Sequence, residues 1–101
     1  MSVLVITTLA ADSAAFEKVM SENGDTLRGI SDVARAKGAI RHLFADDGAG
    51  NILIVDEWDS RESFDAFFGS QPEIGRLMQE VGVSGPPSTV SYRVIDTVDR
   101  L

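Results

Sequence analysis

His42 is the only histidine in the chain, and imidazole is the side chain that most readily exchanges protons near neutral pH. Beside a phenolic ligand it would be the natural proton acceptor. Its plainer reading is a solvated residue on an edge strand. Trp58, the only tryptophan, would offer a broad ring for stacking and an indole N–H to orient a phenol or quinone oxygen, or else simply close one end of the core. Phe44, Phe68 and Tyr92 complete an aromatic wall in the first reading. Tyr92 otherwise serves cross-strand packing or reaches a neighbouring subunit.

Asp56 and Glu57 are adjacent on one extended segment, so their side chains leave opposite faces and cannot work as a carboxylate pair within a subunit. Asp56 shares a face with Ile54 and Trp58. On an inner face it would be a buried carboxylate in need of a partner, with Arg41, Arg93 or Arg28 as the available cations. Asn23 is either a ligand-facing amide or the polar residue at a helix break. Gly48 and Gly50 have no following helix and no basic neighbour, so they form no phosphate cradle. Asp46-Asp47 lacks the oxygen spacing of a calcium loop. There is no cysteine, which excludes disulfides, thiolate metal sites and cysteine nucleophiles. No metal and no cofactor is expected.

These residues must be placed by a small scaffold. Val3 to Leu9 is short, β-branched and apolar at nearly every position, which predicts a strand buried on both faces. Asp12 or Ser13 can cap the helix that follows. Phe16, Met20, Leu27, Ile30 and Ala34 carry its apolar stripe, with a kink near Asn23-Gly24-Asp25 and a stop at Gly38. Ala39 to Ala45 reads as a second strand, with Ile40, His42 and Phe44 on one face and Arg41 and Leu43 on the other. The loop 46–51 joins it to a third strand, Ile52 to Trp58, in a hairpin.

Asp59 and Glu62 have the spacing of a capping box ahead of Phe64, Phe67 and Phe68. Pro72 opens a short helix that Gly82 ends. Val83 to Pro87 reads as a linker and Thr89 to Val98 as a half-exposed last strand. The order β-α-β-β-α-β, with an extra helical turn before the last strand, is the split βαβ pattern. It predicts one α+β domain over residues 1–101, ferredoxin-like, with a four-stranded antiparallel sheet whose first and third strands are central.

In that topology both helices cover one face of the sheet, and the other face should be polar if it meets water. It is not. Whichever of Val3, Val5 and Leu9 or Leu4 and Ile6 faces the helices, the other set needs a cover, and Ile52 and Ile54 against Leu53 and Val55 repeat the problem. A two-fold homodimer lets one surface cover itself.

The run Val55-Asp56-Glu57-Trp58-Asp59-Ser60-Arg61-Glu62-Ser63-Phe64-Asp65-Ala66-Phe67-Phe68, followed by Pro72-Glu73-Ile74, resembles a segment of the antibiotic-biosynthesis-monooxygenase-like proteins. The resemblance implies a dimeric α/β barrel with a pocket between sheet and helices in each subunit. The activities it implies run from oxygenation of polycyclic phenols or quinols without metal or flavin, through haem degradation, to no known chemistry. Haem-degrading members bind iron through a histidine in the second helical region and use an asparagine on the first strand. This chain has Gly75-Arg76-Leu77-Met78 and Thr7-Thr8 there, so haem is not expected. Of the residues used by polyketide-oxidising members only Trp58 carries over by motif.

The net charge of -7 repels phosphate backbones and anionic lipid, so neither nucleic acid nor a membrane is an expected partner. Met1 to Leu9 is too short and lacks the basic lead of a signal peptide, and nothing approaches the roughly 18 apolar residues of a membrane helix. A soluble, cytoplasmic protein is expected. Two functions fit: a cofactor-independent monooxygenase of a small aromatic quinol or phenol, with His42 as base and Trp58, Phe44, Phe68 and Tyr92 as wall, or a non-catalytic small-molecule-binding or structural dimeric barrel.

Overall fold

The computed structural model describes residues 1–101. Eight elements follow in the order β1 (Val3–Ala10), α1 (Ser13–Glu22), α2 (Gly24–Lys37), β2 (Ala39–Asp46), β3 (Asn51–Trp58), α3 (Arg61–Gly69), α4 (Pro72–Val81) and β4 (Ser84–Arg93). The sheet is antiparallel with strand order β2-β3-β1-β4, so the two strands that are apolar on both faces are the central ones. Each helical layer of the expected pattern is split in two. Asn23 makes the first break: its backbone N–H bonds to the Met20 carbonyl as the cap of α1, and its side-chain Nδ2 donates to the Val19 carbonyl at 2.8 Å. No helix is long and apolar enough to cross a membrane.

Local chemistry accounts for most boundaries. The Asp12 carboxylate accepts from the Ala15 amide at 2.9 Å and caps α1. Ser60, not Asp59, caps α3 by accepting from the Ser63 amide at 3.1 Å, which corrects the expected capping box. Asp59 instead donates its backbone N–H to the Gly38 carbonyl at 2.9 Å, tying the end of β3 to the end of α2. That approach demands glycine. Gly38 has φ 122°, and a Cβ there would lie 2.6 Å from the Asp59 Cγ.

The last strand starts and ends earlier than its alternation suggests. Gly85-Pro86-Pro87 belongs to β4, because an edge strand tolerates residues that cannot donate to a ladder. Beyond Arg93 the Val94 amide donates to the Ser2 carbonyl at 3.0 Å, and β1 offers no further partner for residues 95–98.

Val5, Thr7 and Leu9 of β1 and Ile52, Ile54, Asp56 and Trp58 of β3 face the helices and are buried. Leu9, Phe16, Met20, Ile52, Ile54, Leu77 and Val81 form one cluster, and Val5, Trp58, Phe64 and Phe67 a second, with Ile30 packed against both. The opposite face carries Leu4, Ile6, Leu53 and Val55 at the centre, and Leu43, Val90 and Tyr92 largely exposed towards the edges. Only its end near Glu57 is covered, by Ser2, Arg41 and the segment around Arg100.

Candidate functional site

The hairpin between β2 and β3 sets the site. Asp47 holds its loop, accepting from the Ala49 amide at 2.7 Å and the Asn51 amide at 3.1 Å, with a further bond from the Asn51 side chain at 2.8 Å. The register that follows places His42 opposite Asp56 and Phe44 opposite Ile54. All four point to the helices. Near the start of β2 a bulge at Ile40 brings Ala39, not Ile40, opposite Trp58, and the unpaired Ile40 is 55% exposed.

Between this corner of the sheet and helices α2, α3 and α4 lies a cavity of about 560 Å³, lined by 23 residues of which 16 are hydrophobic. That volume suits a small multi-ring molecule. The structure brings His42, Phe44, Trp58 and Phe68 to its wall together with Ile30, Phe64, Phe67 and Met78. Tyr92 does not join them. It pairs with Leu4 on the open side of the sheet and is largely exposed, so its expected place in the wall is corrected: a residue one position from the helix-facing set in an antiparallel ladder lies on the other face.

The polar part of the wall is compact. His42 Nδ1 is 2.7 Å from Asp56 Oδ1, and the Trp58 indole Nε1–H donates to Asp56 Oδ2 at 3.3 Å. The His42 ring stands edge-on to Phe44 at 4.7 Å between centroids, and Phe44 edge-on to Phe16 at 4.9 Å, which fixes the imidazole plane. Trp58 is buried against Phe64 and Phe67 at 5.9 and 5.3 Å. Asp56 is buried while the His42 side chain remains 41% exposed, so the imidazole is the part of the group that a ligand can reach.

The partner of Asp56 is thus His42, where the sequence suggested an arginine. Arg41 binds Glu57 at 3.3 Å and the Leu101 carbonyl at 2.8 Å, Arg28 binds Asp25 at 3.0 Å, and Arg93 contacts Met1. Glu57 takes the cations. The Ser2 hydroxyl first, then the Arg100 guanidinium, hold its carboxyl below the ordinary carboxylate range, against the opposing effect of burial. No cluster of three or more His, Asp or Glu side chains is placed to hold a metal ion.

His42 and Asp56 were each noticed in the sequence, but not their pairing. The signal lay in the loop: a hairpin centred on Ala49 sets residue 42 against residue 56. Asn23 lies outside the cavity wall, and its amide serves the helix break.

No family model matches the chain and no curated protein matches it; solved structures do. A monooxygenase from the gene ActVA-Orf6 of Streptomyces coelicolor, in complex with Nanaomycin D, superposes with a TM-score of 0.68 over 99% of this chain and 93% of that one, at 18% identity. SnoaB, a cofactor-independent oxygenase from Streptomyces nogalater, gives 0.62 over 98% of each chain at 14% identity. A dimeric ferredoxin-like protein from an uncultured marine organism gives 0.67 over 99% of this chain and 93% of that one at 15% identity. The molecule is a ferredoxin-like α+β protein. Its fold is also that of solved structures named for antibiotic biosynthesis monooxygenases, from Deinococcus radiodurans and Caulobacter crescentus among others, the group that residues 55–68 resemble.

Proposed function

We propose that the chain is a cofactor-independent monooxygenase acting on a small aromatic quinol or phenol, with one cavity in each subunit of a homodimer. The observation that carries this reading is the apolar cavity of about 560 Å³ whose wall holds the imidazole of His42 among aromatic rings. His42 takes the phenolic proton, and the electron-rich anion, desolvated against Trp58, Phe44 and Phe68, reduces dioxygen. For a quinol the balance closes without an added reductant. The substrate supplies four electrons, one oxygen atom ends on a ring carbon as a hydroxyquinone, and the other leaves as water. The likeness to SnoaB and to the ActVA-Orf6 enzyme supports the reaction class.

The subunits join through the open face of the sheet, where Leu43, Leu53, Val55 and Val90 form an apolar surface that a two-fold partner covers. The dimeric ferredoxin-like neighbour supports that assembly.

A non-catalytic binding protein is the second reading. It is favoured by the charged groups of the cavity wall: Arg28, Arg35 and Arg41 pair with Asp25, Asp32 and Glu57 at 3.0, 3.9 and 3.3 Å and cannot act as acids, so His42 with its partner Asp56 is the only proton-exchanging group there.

Oxygen uptake with a panel of quinols tests the choice. The oxygenase consumes oxygen, and His42→Ala lowers the rate about 10²-fold or more. Because Trp58 is the sole tryptophan and lines the cavity, quenching of its fluorescence reports binding in the same panel. Quenching without uptake establishes the second reading.

A further inference from the structure

We infer that Asp56 is a positioning residue for His42: anchored by the indole N–H of Trp58, its carboxylate holds the proton of His42 on Nδ1 and makes Nε2 the nitrogen that takes a proton from a ligand in the cavity. This rests on reading His42 as the base, and adds which atom of it acts and what sets that atom.

The two carboxylate oxygens are assigned to different donors. Oδ2 accepts from Trp58 Nε1 at 3.3 Å, and Oδ1 lies 2.7 Å from His42 Nδ1. An ionised carboxylate has only acceptors to offer, so the nitrogen facing it carries the hydrogen. In a neutral imidazole the other nitrogen then holds the lone pair. His42 Nε2 makes no hydrogen bond within the chain, and its ring is in the cavity wall and partly open to solvent. The arginines around the cavity are each taken by another carboxylate, Arg41 by Glu57, Arg28 by Asp25 and Arg35 by Asp32, and none hydrogen-bonds Asp56. When Nε2 takes a phenolic proton, His42 and Asp56 become an ion pair and the phenolate stays as the single new anion.

Trp58 gives this arrangement a consequence that a plain packing contact lacks. Its N–H is a permanent donor that cannot change tautomer, whereas the imidazole can. In Asp56→Asn the amide cannot accept from both neighbours. It turns its oxygen to Trp58 and its NH₂ to His42, so Nδ1 becomes an acceptor and the proton moves to Nε2, leaving the ligand-facing nitrogen without its lone pair.

The experiment is nitrogen-15 NMR of the ring nitrogens on the full chain, unambiguous because there is a single histidine. Neutral His42 is expected to carry its proton on Nδ1 in the wild type and on Nε2 in Asp56→Asn. With Trp58→Phe added to Asp56→Asn, Nδ1 regains proton occupancy. An Nε2-protonated ring in the wild type overturns the inference on its own, even if the variants fail to fold, and so does the same tautomer in wild type and Asp56→Asn. Oxygen uptake is read separately. A wild type that consumes no oxygen with any quinol removes the oxygenase reading while the tautomer result stands. In an active enzyme Asp56→Asn loses about 10²-fold in rate, and retention of full rate with a switched tautomer overturns Nε2 as the acting atom.

Discussion

Asp56 and Glu57 are neighbours on β3, and the pleat sends them into opposite settings. Asp56 looks into the helix side, where its partners are an indole N–H and an imidazole. Glu57 looks into the open side, where a serine hydroxyl and the guanidinium groups of Arg41 and Arg100 surround it. Both are buried. A carboxylate surrounded by fixed cations is a structural clasp: nothing near it can give or take a proton around neutral pH. A carboxylate joined to an imidazole has a partner that can. The proposed division of labour along one strand puts the chemistry on the helix side and the assembly on the open side.

The largest effect on this contrast should come from Trp58→Ala, which removes the anchor of Asp56 and the centre of the second core cluster. A loss of about 3–5 kcal/mol is expected in urea unfolding. Val55→Lys, on the open side, should leave the cavity intact and raise the dimer dissociation constant at least about 10²-fold by placing a charge in an apolar interface. Sedimentation at micromolar concentration reads it. An unchanged dimer in that variant would place the subunit contact elsewhere and dissolve the proposed division.

Glu57→Gln comes next, at about 1–2 kcal/mol at pH 7. This is less than for a fully buried pair because Arg41 is 61% exposed. Its pH dependence has a definite sign. The Glu57 carboxyl is held below its ordinary 4.5 in the folded chain, so its contribution is complete above the unfolded value and disappears as pH falls through the folded one. Urea midpoints of wild type and Glu57→Gln should therefore differ at pH 7 and draw together as pH falls below 4.5. A constant gap would mean that ionisation of Glu57 is not what the clasp uses. Arg100→Ala should be the mildest, shifting the urea midpoint less than Glu57→Gln does, since Ser2 and Arg41 still hold the carboxylate.

Much of the fold was legible because hydrophobic periodicity and turn residues are local signals. The two-sided apolar character of Val3–Leu9 and Ile52–Val55 marked the central strands, and Gly38 and Gly82 marked helix ends. That same two-sidedness hid the site. With both parities apolar, alternation alone could not say which set meets the helices, and Tyr92 was placed on the wrong face. The His42 and Asp56 pairing required the hairpin register, which depends on the loop that Asp47 organises. The Ser60 cap was missed since Asp59, an equally good capping type, stands one residue earlier and is drawn off by its contact with Gly38.

The rims of the sheet explain how copies of the chain avoid stringing together. Along β2 the bulge at Ile40 breaks the regular row of backbone groups, and along β4 Pro86 and Pro87 have no N–H to give. A newcomer strand finds the ladder interrupted at one end of each flank and only a short regular stretch beyond it. In the proposed homodimer the broad greasy side takes the contact instead, and a rotation by half a turn would close the assembly at two.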